Sequence, residues 1–174
     1  YSNYSMIIGI VTTFALLIFS SASASIGNLN ATENENKVYF IFKVMQFLGM
    51  WVYGFCSICF LILINPFIEL WIGDKFVLDF MTVLIIVSAF FLKGIISISS
   101  TFIDSLGLFW ITRYKPWAMA IINIFFSILG AYFFGLKGVF IGTIISYCTT
   151  SVWIDPYVLY KNKFKIKFIF YCKF

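Results

Sequence analysis

Apolar side chains run along this chain in long, nearly uninterrupted stretches broken by short polar segments. Five stretches approach the roughly 20 residues that a helix needs to cross a hydrocarbon core: about 4–26, 38–64, 80–100, 117–134 and 138–160. Inside lipid every backbone N–H and C=O needs an internal partner, and the stretches lack the alternating dyads of a barrel strand. The pattern therefore predicts an all-α membrane protein with five transmembrane helices. Its connections are 27–37, 65–79, 101–116, the tight turn 135–137 and a tail over 161–174. The segment from Pro66 to Gly73 is too short to cross and is expected to lie along the membrane surface.

Composition agrees with that solvent. Of 174 residues, 62% are hydrophobic and 11% charged, with a mean hydropathy of +1.01, which excludes one core wrapped in a charged aqueous surface. Histidine is absent, which removes the usual imidazole base, proton relay and zinc ligand. No cofactor or metal is expected. Cys56 and Cys59 spell Cys-Ser-Ile-Cys, but they lie inside an apolar stretch and read as packing residues. Glu33 and Glu35 have no positioned partner or pocket for acid–base work, so no catalytic residues are assigned.

Charge adds an orientation. Alternate connections share a side, and one side gathers Lys37, Arg113, Lys115, Lys161, Lys163, Lys165 and Lys167, whereas the other holds Lys75 and Lys137. The positive-inside rule makes the richer side cytoplasmic, with the chain start outside and the tail inside. Trp71, Phe109, Trp110, Trp117, Trp153, Tyr157 and Tyr160 fall where spans should meet headgroups, as an aromatic belt. Gly138 and Gly142 form a Gly-x-x-x-Gly, and Ser20 to Ser25 alternate with alanine; both allow close helix packing. An external start and a first residue that is not Met suggest a piece of a longer protein. The rival reading of 6–24 as a secretory signal lacks the positive charge such a signal carries in front.

Particular strings then become informative. They are Tyr1-Ser-Asn-Tyr-Ser-Met-Ile-Ile-Gly9, Ala24-Ser-Ile-Gly-Asn28-Leu and Asn65-Pro-Phe-Ile-Glu-Leu-Trp-Ile-Gly73. Gly107-Leu-Phe-Trp110 with Arg113-Tyr-Lys-Pro116, Gly138-Val-Phe-Ile-Gly-Thr-Ile-Ile-Ser146 and Pro156-Tyr-Val-Leu-Tyr-Lys161 follow in order. Together they resemble the bacterial polysaccharide repeat-unit flippases of the multidrug/oligosaccharidyl-lipid/polysaccharide exporter superfamily. The resemblance runs from Tyr1 to about Lys161. It implies two helical bundles around a central cavity, of which this chain would supply most of the second, the first bundle being a missing partner. It further implies a bacterial inner-membrane location and, as substrate, an undecaprenyl-pyrophosphate-linked oligosaccharide moved outward for capsule or O-antigen assembly. A drug or peptidoglycan-precursor exporter is the nearest alternative. A membrane polymerase or glycosyltransferase would need a sizeable catalytic loop, and every connection here is short.

An anionic headgroup crossing lipid calls for a polar, cationic slot. Lys93, within Phe90-Phe-Leu-Lys-Gly94, is the first candidate substrate contact, because a charge inside a span costs about 2.5 to 3.5 kcal/mol and calls for a partner. Lys43 lies nearer the cytoplasmic end of its span and can also snorkel. Asp104, Arg113 and Lys115 cluster at the cytoplasmic ends of the third and fourth spans, where substrate loading would begin. Asp155 is expected to cap a helix or pair with a nearby lysine. The basic tail is read as an anchor to membrane lipids, without a solvated domain for nucleic acid.

Overall fold

The computed structural model describes residues 1–164, and everything regular among them is helical. α1 (Ser2–Ser21) and α2 (Ser23–Thr32) meet at Ala22 and form a nearly continuous rod. Helix thus continues past residue 26, and the connection expected over 27–37 shrinks to Glu33 and Asn34. The serine run does not break it: Ser20 and Ser21 donate to the carbonyls of Leu17 and Ile18 at 3.3 and 2.7 Å, so their hydroxyls are satisfied inside the helix.

α3 (Glu35–Ile72) has 38 residues and carries Pro66 inside it. The segment expected to lie apart on the surface is instead the last turns of this helix. At 1.5 Å per residue α3 is about 57 Å long, well beyond the ~30 Å of a hydrocarbon core. Gly73 ends it with φ 100°, a conformation that suits glycine. A closed polar ring fixes this end: the Tyr4 hydroxyl donates to Asn65 Oδ1 at 2.7 Å and accepts the Leu78 N–H at 3.0 Å. Asn65 Nδ2 donates to the Leu78 carbonyl at 3.1 Å.

α4 (Phe80–Ser105) returns along α3, and two glycines let the helices close on each other. Gly94 lies against the buried Tyr53 ring, and Gly49 against Ile98 and Phe19. Around them the rings meet edge-on, Tyr53 and Phe60 each against Phe90, and Phe42 against Phe102. α5 (Lys115–Phe134) and α6 (Leu136–Ser146) form a tight hairpin turned by Gly135 at φ 59°. Gly130 and Gly138 touch backbone to backbone, and Gly142 rests on Ser127. No residue of α5 is fully buried, so its outer face is left to the surroundings.

The last stretch is helical from Leu136 to Phe164 but not uniform. A π turn (Tyr147–Ser151) precedes α7 (Val152–Leu159), and a second (Tyr160–Phe164) follows it. Among the described residues four helical rods are long and apolar enough to cross a membrane: Ser2–Thr32, Glu35–Ile72, Phe80–Ser105 and Lys115–Phe134. The fifth expected span is divided by its π turn.

The rods run antiparallel. One end of the bundle holds the Tyr4–Asn65–Leu78 ring and the Asp79–Lys137 ion pair at 2.8 Å. The opposite end holds the Ser23–Ser105 hydroxyl contact, the Tyr39–Tyr160 pair and the Lys115–Asp155 ion pair. Lys37, Arg113, Lys115, Lys161 and Lys163 all belong to elements reaching this second end. Lys165, Lys167 and the rest of the expected tail to residue 174 lie outside the described residues.

Candidate functional site

A cavity of about 440 Å³ opens between α1, α4 and α6. On α1 the stripe Ser5, Ile8, Gly9, Thr12 and Leu16 recurs at one side of the helix and lines it, together with Tyr1 and Thr13. From α4 come Ile86, Ala89, Phe90 and Lys93, again at helical spacing; from α6 come Phe140 and Thr143, with Tyr147 from the π turn. The Tyr1 and Phe140 rings meet at 4.6 Å between centroids and form an aromatic part of the wall.

Most of the polar lining is hydroxyl. Thr12 and Thr13 donate to the carbonyls of Ile8 and Gly9 at 2.7 and 2.9 Å, leaving their oxygens free to accept. Thr143 accepts from Asn123 Nδ2 at 3.1 Å. The Ser5 hydroxyl oxygen is buried and has no hydrogen-bond partner among the described residues. Such a group is costly to leave unmade, and it sits in the wall of the cavity. Lys93 is exposed, lines this cavity, and is bonded to no carboxylate among the described residues. The lining contains neither a carboxylate nor a thiol, so it offers hydrogen bonds and one positive charge.

The other candidates are placed elsewhere. The Lys43 ammonium lies 4.6 Å from the centroid of the Tyr39 ring, one turn back on α3, and Lys43 is not part of the lining of this cavity. The expected cluster of Asp104, Arg113 and Lys115 ends in different partners. Asp104 is exposed near the end of α4. The Arg113 guanidinium stacks on two rings, 4.8 Å from Trp110 and 4.6 Å from Tyr114. Lys115, at the start of α5, turns inward to Asp155, with its Nζ 2.8 Å from both carboxylate oxygens. Ser100 of α4 adds a third bond to that carboxylate at 3.1 Å.

The hydroxyls of the cavity were not among the residues expected at the site. Their signal was present in the sequence, since Ser5, Gly9 and Thr12 repeat at intervals of four and three within α1, but their meeting with Lys93 depends on which helices become neighbours. A smaller cavity of about 270 Å³ lies between α5 and α6, lined by Asn123, Thr143, Ser146 and Tyr147 among others. Thr143 and Tyr147 border both spaces.

No protein-family model, curated protein or solved structure matches the chain. A membrane-spanning helical architecture is what the apolar rods are compatible with, and any functional assignment rests on the residues themselves.

Proposed function

We propose that this chain is part of a membrane transporter that passes a lipid-linked, anionic oligosaccharide headgroup across a bacterial inner membrane. One observation carries the reading: Lys93, inside the long apolar helix α4, opens without a bonded carboxylate into a cavity lined by the hydroxyls of Ser5, Thr12, Thr13 and Thr143. A lone cation at that depth is costly and gains most from an anionic ligand. Hydroxyl acceptors and an aromatic wall suit sugars, which present hydroxyls and apolar ring faces. The ordered strings from Tyr1 to Lys161 support the same reading through their likeness to polysaccharide repeat-unit flippases. In the whole protein a first bundle would face this cavity, and rocking of the two bundles would expose it to each side in turn.

The test is export in cells making the complete protein. Lys93→Ala is expected to abolish polymer export with normal membrane levels, and Lys93→Arg to retain a substantial part of it. Full export by Lys93→Ala would remove the cationic slot and with it this reading.

A further inference from the structure

The connection between α4 and α5 carries a second cationic feature, remote from the cavity and unused by the transport reading. Gly107, at φ 69°, turns the chain into a short 3-10 turn (Leu108–Trp110). Leu106 and Leu108 pack against the core and hold the connection down. Its aromatic side chains, and Trp117 in the first turn of α5, face outward: Phe109 is 57% exposed, Trp110 67%, Tyr114 68% and Trp117 71%. Between Trp110 and Tyr114 sits the Arg113 guanidinium, over both rings.

We propose that this connection binds the phosphodiester headgroup of an anionic phospholipid in the leaflet at this end of the bundle. Stacking against two rings engages the charge of Arg113 but none of its N–H donors, which match the oxygens of a phosphodiester. Among the described residues Arg113 has neither a carboxylate nor a hydrogen-bond acceptor. Two other basic side chains at this end are held in ion pairs: Lys115 with Asp155, and Lys37 with Glu33 at 2.5 Å. α5 begins beside Arg113 with no side-chain cap and no acidic residue in its first turn, so its positive dipole end adds to the same charge. The acidic residue nearest to Arg113 in sequence is Asp104, on the far side of Gly107.

The flanking aromatic side chains decide the source of the phosphate. A free anion would gain nothing from four exposed aromatic residues, whereas a lipid lets them enter the interface while Arg113 meets the headgroup. The site needs only that the chain resides in a membrane, and it stands whether or not Lys93 contacts a substrate.

The test is native mass spectrometry of the full chain released from mixed micelles containing equal phosphatidylglycerol and phosphatidylcholine. Wild type is expected to retain phosphatidylglycerol preferentially. Arg113→Gln should lower that preference about fivefold, the effect of one basic residue near an anionic surface, and Arg113→Lys should lower it less. Trp110→Leu, which keeps the apolar surface but removes one ring face, should also reduce it. Equal retention by wild type and Arg113→Gln would overturn the proposal. So would displacement of the lipid by millimolar inorganic phosphate, which would make this a free-anion site. Circular dichroism on each variant separates loss of the site from loss of the helices, and an Arg113→Lys protein that keeps its helicity but prefers phosphatidylglycerol no more than a folded Arg113→Gln would equally count against it.

Discussion

Lys115 and Asp155, 40 positions apart in sequence, meet with the lysine nitrogen 2.8 Å from both carboxylate oxygens, and Asp155 is wholly buried. With Ser100 the pair ties α4, α5 and α7 together at one end of the bundle. Removing either charge would strand the other in an apolar setting. Lys115→Met is therefore expected to destabilise the protein by about 3–5 kcal/mol, whereas Lys115→Met combined with Asp155→Leu should recover much of the loss. Chemical unfolding in detergent of the single and double variants checks this. A single variant as stable as wild type would show that the pair contributes nothing.

The α5–α6 hairpin depends on absent side chains. A methyl group on Gly138 would meet the backbone of Gly130, and one on Gly142 would meet Ser127, while one on Gly9 would meet nothing within 4 Å. Gly138→Ala is expected to cost about 1–3 kcal/mol through forced separation of the helices, and Gly9→Ala to leave stability unchanged or slightly raised. Thermal unfolding of the two variants side by side gives the comparison, and equal effects would contradict the close backbone contact.

At the opposite end Asp79 bonds Lys137 at 2.8 Å and Thr82 at 2.5 Å, and the lysine contact, then the threonine, holds its carboxyl down to about 2 from an ordinary 3.8. Because the folded value lies below the unfolded one, the contribution is fully present above about pH 4. It is lost as the pH falls through about 2. Unfolding midpoints of wild type and Asp79→Asn should accordingly differ at neutral pH and converge toward pH 2. A constant difference across that range would show that the ion pair is not its source.

The proposed orientation rests on the basic end of the bundle. In intact cells a membrane-impermeant thiol reagent is expected to label a cysteine placed at Lys75, and to miss one placed at Arg113 until the membrane is opened. These probes belong in a background with the native cysteines replaced. The reverse labelling pattern would overturn the proposed orientation.

The sequence by itself determined the all-helical secondary structure, the apolar runs compatible with a membrane, and the alternation of ends. Apolar runs of spanning length leave a backbone no choice in lipid but to bond within its own segment, so helices were legible from composition and length alone. Lys93 was legible as a candidate because a charge inside such a run stands out against its neighbours. Helix limits were less legible, since Ser20 and Ser21 satisfy their hydroxyls on the preceding turn of a nearly continuous rod and Pro66 sits within α3, so residues that usually end a helix did not end these. Only the tertiary structure decided which side chains meet. The cavity needs α1, α4 and α6 side by side, a relation between distant segments that no local pattern encodes. The partner of Lys115 depends on the π turn at Tyr147–Ser151, whose extra residue turns the downstream face by about 100° and so sets the side on which Asp155 emerges.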